Sequence, residues 1–122
     1  MTTLEIGTKL VTLCQNKKNM EAIETLYSPE IVSVEAGAPP GQSPETRGLP
    51  AVLGKSKWWN ENHEVHSAQV LGPFPNGDKF AVYFKYEMTP KATGKKTTME
   101  EVGLYSVKNG KIMKEEFFYK GM

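Results

Sequence analysis

The sequence predicts an α+β fold in which three helices pack in a strongly curved, mostly antiparallel sheet. Three observations predict it. Apolar residues recur at helical spacing in three stretches up to Trp59, and from Val65 onward the period switches to two. The dipeptides Asn76-Gly77 and Asn109-Gly110 each lie between alternating apolar runs, the pattern of tight hairpin turns. With 122 residues the chain has the size of one domain, taken as 1–122.

Each element has its own signal. Thr2 and Glu5 have capping-box spacing and open a first helix with Ile6, Leu10, Leu13 and Cys14 on its inner stripe. Asn19 is suited to cap a second, with Met20, Ile23, Leu26 and Tyr27 facing inward, and Ser28-Pro29 stops it. Glu30 to Ala36 alternates as a strand, with Ile31, Ser33 and Glu35 on one face. Gly37 to Arg47 holds too many breakers for regular structure and reads as a long loop. Pro50 fits the first turn of a third helix, whose stripe is Leu49, Val52, Leu53, Ser56 and Trp59. Strands follow at 64–72, 79–89, 97–107 and 111–120.

Composition excludes several classes. Fifteen basic against fourteen acidic side chains leave +1, without the basic excess of a nucleic-acid binder. One cysteine, Cys14, excludes an intrachain disulfide and multi-cysteine metal sites. His63-Glu64-Val65-His66 lacks the four-residue spacing of the metalloprotease helix, so no metal and no cofactor are expected. The start lacks the basic and apolar regions of a signal peptide, and no apolar run approaches the roughly 20 residues of a membrane span. The expectation is a cytoplasmic protein with no membrane and no nucleic-acid partner.

Two-residue turns fix registers by arithmetic. Around Asn109-Gly110, Leu104 falls opposite Glu115, Val102 opposite Phe117 and Glu100 opposite Tyr119, so one face reads as a core with Glu115 embedded in it. The other face keeps Tyr105, Val107, Ile112 and Phe118, too apolar for water, which suggests a homodimer through the sheet. Around Asn76-Gly77, Val65, Ser67, Gln69, Leu71, Phe80, Val82, Phe84, Tyr86 and Met88 share a face, and His66 lies across from Glu87. A one-residue slip inverts every such assignment.

This element order resembles the SnoaL-like family of the nuclear transport factor 2-like superfamily. The resemblance spans nearly the whole chain and rests on Leu26 to Glu35, Thr46-Arg47-Gly48-Leu49, Trp58-Trp59 through His66, Gly72-Pro73-Phe74, Asn76-Gly77-Asp78, Glu101 to Tyr105 and Gly110-Lys111-Ile112. It implies a cone of the cystatin-like, nuclear transport factor 2-like α+β barrel type, with a hydrophobic pocket and usually dimeric through its sheet. It also implies relatives that include ketosteroid isomerases and polyketide cyclases. Neither template transfers. The isomerase aspartate should follow Val34-Glu35, where this chain has Ala36. Its oxyanion donors would fall near Val11 and near Val102 or Gly103, and the cyclase aspartate near Glu116-Phe117.

The candidate chemistry centres on Glu115, because a carboxyl among apolar neighbours has its charged form disfavoured and becomes an acid/base. His63 is the second catalytic candidate, as a proton shuttle at the pocket mouth. Glu35, Trp58, Trp59, Phe84, Tyr86, Glu100, Leu104, Phe117 and Tyr119 are expected to line the pocket. The leading reading is a protein that binds an apolar or partly polar small molecule, with isomerase-, cyclase- or dehydratase-type acid/base chemistry as its candidate activity. The alternatives are a binding module without turnover and a structural or protein-interaction dimer, and the sequence leaves enzyme activity open.

Overall fold

The computed structural model describes residues 1–120. Helix α1 spans Thr3–Gln15 and α2 Asn19–Leu26, followed by β1 (Tyr27–Val34), β2 (Glu45–Arg47), α3 (Leu49–Asn62), β3 (His63–Asn76), β4 (Lys79–Pro90), β5 (Thr97–Lys108) and β6 (Lys111–Phe118). The strands form one sheet in the order β2-β1-β6-β5-β4-β3, parallel only where β1 meets β6. No described helix is long and apolar enough to cross a membrane.

The capping box at α1 forms as its spacing predicts: the Glu5 amide donates to Thr2 Oγ1 at 3.1 Å, and the Thr2 amide to Glu5 Oε1 at 3.0 Å. Ile6, Leu10, Val11 and Cys14 then face the sheet, buried. Close contact requires Gly7, where an added Cβ would lie 2.8 Å from Pro73 Cβ and 3.2 Å from Phe80 Cδ2. Two expectations at the second helix change. Asn19 is its first residue rather than a side-chain cap, and Tyr27 leaves the helix to begin β1. The breaker-rich loop ends in a short strand of its own, β2, which pairs antiparallel with β1 through Thr46 and Ser33.

Core residues Ile6, Leu10, Leu26, Ile31, Phe80, Val82 and Ile112 are nearly or fully buried between helices and sheet. Helix α1 packs against β3 and β4, α3 against β1, β2 and β3, and α2 touches both of the other helices.

The registers differ from turn arithmetic because bulges intervene. Lys108 does face Lys111, and Val107 faces Ile112, but Met113 then has no partner and the ladder resumes at Ser106 with Lys114. One extra residue reverses which β5 face meets Glu115. Glu115 consequently lies opposite Tyr105, and Gly103 opposite Phe117, so Glu101, Gly103 and Tyr105 point inward. Leu104 and Glu100 fall on the other face, away from the interior, with Glu100 accepting from the Tyr83 hydroxyl at 2.8 Å. The apolar set offered for dimerisation divides likewise: Tyr105 and Ile112 are buried inside, while Phe118 stays outside near Val102.

In the β3–β4 hairpin Asn76 pairs with Lys79, so Gly77-Asp78 forms the turn. Two bulges on β3 then restore the Val65–Met88 pairing. Ala68 and Val70, rather than Ser67, Gln69 and Leu71, stand across from Tyr86 and Phe84. His66 is the extra residue of one bulge and meets the Thr89 hydroxyl at 2.7 Å, not Glu87.

Candidate functional site

Between α2, α3, the 37–46 segment and the inner face of β4–β6 lies a cavity of about 960 Å³. Of the residues expected to line it, Glu35, Trp58, Trp59, His63, Phe84, Tyr86, Glu115, Phe117 and Tyr119 do so; Glu100 and Leu104 do not. Glu101, Lys55, Tyr27 and Tyr105 join them.

A polar chain runs along the wall. Glu115 is 4% exposed and accepts from the Tyr27 hydroxyl. Ser33 is its neighbour on the parallel strand β1. Ser33 Oγ accepts from Lys55 Nζ at 2.6 Å, which leaves the Ser33 hydrogen for Glu115. Lys55 Nζ also donates to Glu35 Oε1 at 2.9 Å, and the Tyr119 hydroxyl donates to Glu35 Oε2 at 2.9 Å. Three elements or their immediate ends, β1, α3 and β6, are thereby tied through side chains that would be costly to bury unpaired.

Burial pushes the Glu115 carboxyl above its ordinary range, against the opposing pull of the Tyr27 and Ser33 hydrogen bonds and the Lys55 ammonium. Glu115 is thus a buried part of the cavity wall, held by hydrogen bonds from Tyr27 and Ser33. Glu101 is different. It is half-buried on the inner face across from Phe84, and among the described residues it makes no hydrogen bond and no ion pair. Burial first, then the negative charges of Glu35 and Glu115, push its carboxyl up to about 7, with Lys55 pulling the other way. An unfolded glutamate would titrate near 4.5, so ionising Glu101 weakens folding as pH rises from about 4.5 to about 7.

Gly103 makes room beside it. A Cβ there would stand 2.8 Å from Tyr105 Cε2 and 3.0 Å from its hydroxyl oxygen, so the missing side chain lets the Tyr105 ring lie back along the strand. That ring stacks on Phe80 at 5.0 Å and meets Phe117 edge-on at 6.3 Å.

At the mouth, Trp59 stacks on His63 with centroids 4.2 Å apart and contacts Tyr86 at 5.9 Å, whereas Trp58 is 60% exposed. His63 Nδ1 lies 2.8 Å from the Trp59 carbonyl, which only accepts. Nδ1 therefore carries the proton, and Nε2 keeps its lone pair when the ring is neutral. Cys14 also borders the cavity, and burial raises its thiol to about 12, so it is not a nucleophile there.

Glu101 and Lys55 are not among the residues that the sequence pattern singles out, for separate reasons. Glu101 was hidden by the Met113 bulge. Lys55, three residues after Val52 and four before Trp59, shares their helix face, a spacing that marks it as inward despite its charge.

Residues 1–119 match the model of the SnoaL-like domain. The chain belongs to the SnoaL-like family. A Mesorhizobium loti structure, provisionally assigned as a SnoaL-like polyketide cyclase, is 48% identical to this SnoaL-like protein. The two superpose with a TM-score of 0.92 over 98% of this chain and 100% of that one. A provisionally assigned isomerase from Bacillus subtilis, 15% identical, has a TM-score of 0.81 over 98% and 90% of the two chains. A nuclear transport factor 2-like protein from Burkholderia thailandensis, 18% identical, reaches 0.81 over 98% and 92%. The last two share the fold. No curated protein matches the chain.

Proposed function

We propose that this SnoaL-like protein binds a small, largely apolar molecule in its cavity and moves a proton on it without a cofactor, with Glu101 as the general base or acid. The observation that carries the reading is Glu101 itself: an inward carboxyl with no partner among the described residues, raised to about 7. A group titrating near the working pH is available in both protonation states, the condition for efficient proton transfer. Glu115 has the stronger sequence signal, but its hydrogen bonds to Tyr27 and Ser33 suit it to a fixed supporting charge or dipole rather than to exchange. Burial, with the charges of Glu35 and Glu115, brings Glu101 into the useful range. His63, whose Nε2 makes no hydrogen bond among the described residues, is the candidate to pass the proton between cavity and solvent.

Isomerisation, cyclisation and dehydration all begin with such a transfer. The polyketide cyclase assignment of the Mesorhizobium loti relative is consistent with this class. The reading is tested with 5-nitrobenzisoxazole, a neutral aromatic probe of cavity bases. A carboxylate removes its ring C–H proton, those electrons complete the nitrile, and the N–O bond breaks to release a coloured phenolate. The rate is expected to rise with pH and level off with a midpoint near 7, the value of Glu101. No acceleration over an equal concentration of acetate would overturn the reading.

A further inference from the structure

We propose that the cavity takes a cationic ligand, an organic amine whose ammonium sits on the Glu101 carboxylate beside the Phe84 ring while its apolar body lies toward Trp59 and Tyr86. The inference rests on the cavity reading above and names its substrate class.

The wall already seats one ammonium. Lys55 Nζ lies 2.9 Å from a Glu35 oxygen, 2.6 Å from the Ser33 hydroxyl and 6.0 Å from the Phe117 ring centroid. A carboxylate, a hydroxyl and a ring face make up that seat, a combination that holds ammonium groups in partly dry surroundings. Glu101 offers a carboxylate with an aromatic neighbour and, among the described residues, has no ammonium bonded to it. Its register neighbour on β4 is Phe84, whose ring stacks on Tyr86 at 6.0 Å. Tyr86 in turn contacts Trp59 at 5.9 Å, so aromatic surface continues from the carboxyl to the mouth.

Charge points the same way. Glu35, Glu101 and Glu115 face the cavity, and Lys55, the cation among them, is already bonded to Glu35. An anionic ligand would add to this negative field, and a neutral one would leave the raised carboxyls to relieve it by taking up protons. A cation relieves it, and does so where the low dielectric makes the attraction stronger than in water. Lys17 and Lys18 border the mouth but are exposed, so solvent and salt screen them. The hydroxyls of Tyr86, Tyr105 and Tyr119 are held protonated by burial and by the nearby carboxylates, so they add no charge near neutrality.

Three probes of one shape separate the charge classes: 4-phenylbutylamine, 4-phenylbutanol and 4-phenylbutanoate, titrated by NMR against the full chain near pH 6 and pH 8. The amine is expected to bind tightest at the higher pH. Its affinity should rise about tenfold between the two, as the ionised fraction of a carboxyl titrating near 7 goes from roughly a tenth to nine tenths. Glu101→Gln is expected to remove the rise and bring amine and alcohol together. An alcohol or acid that binds as tightly as the amine to the wild type near pH 8 overturns the proposal. So does a pH-dependent rise that persists in Glu101→Gln and therefore belongs to another group. Binding of the alcohol without the amine overturns the charge class and leaves the cavity reading standing, whereas no shift of cavity resonances with any probe overturns both.

Discussion

Glu101→Gln is expected to slow proton abstraction from 5-nitrobenzisoxazole by about 100- to 10,000-fold above neutral pH, the usual contribution of a positioned general base. The substitution keeps the shape of the side chain and removes only the titrating oxygen. Because Glu101 has no hydrogen-bond partner among the described residues, nothing else is left unpaired. Thermal melting should therefore be close to the wild type, or slightly higher above pH 7, where the ionised carboxylate costs stability. Glu115→Gln gives the opposite pattern. It disturbs the hydrogen bonds of Tyr27 and Ser33 and so lowers stability, while the reaction keeps its base. Its pH–rate midpoint should move below the wild-type value, because the negative charge of Glu115 is one of the causes that raise Glu101. If Glu115→Gln lost the reaction and Glu101→Gln kept it, the roles assigned here would be reversed.

Lys55→Met is expected to lower stability by about 2 kcal/mol and to move the pH–rate midpoint upward. The methionine keeps an apolar stem near Phe117 but deletes the ammonium that bonds Glu35 and Ser33. Breaking a fully buried pair from one side costs about 3–5 kcal/mol. Both partners here are 30% exposed, so water compensates in part and the expected loss is smaller. The second effect follows from sign. Lys55 pulls the Glu101 carboxyl down, so its removal lets burial and the other carboxylates act unopposed. At neutral pH less of Glu101 is then ionised, and the rate falls even though the base is present. Denaturant unfolding and the pH–rate profile of the same variant measure the two effects independently. A midpoint that stays in place would show that Lys55 and Glu101 do not share a field.

The fold is legible in the sequence wherever local chemistry and pattern agree. Thr2 and Glu5 cap α1, the Ile31–Ser33–Glu35 alternation sets the inward face of β1, and Phe80 to Met88 alternate inward along β4. The comparison between β5 faces is where pattern fails. Glu100, Val102 and Leu104 on one side and Glu101, Gly103 and Tyr105 on the other both mix apolar residues with one carboxylate. Hydrophobicity alone cannot choose between them, and the choice falls to the turn register. That register is correct at Lys108–Lys111 and is then shifted by Met113, an apolar residue that looks like any other strand position. The β3 bulges act differently: two of them, plus a displaced turn, return Val65 to Met88. Glu115 keeps its inward place under either register because Glu115, Phe117 and Tyr119 alternate beyond the bulge. Its partner across the ladder, and hence the free acid of the site, changes with the register.

The central claim is that Glu101, rather than Glu115, is the carboxyl that exchanges its proton near neutrality. Carbon NMR titration of the glutamate side-chain carboxyls, assigned by comparison with Glu101→Gln, measures this directly. The account predicts a Glu101 resonance that titrates with a midpoint near 7. A midpoint at or below 4.5, the ordinary glutamate value, would contradict it.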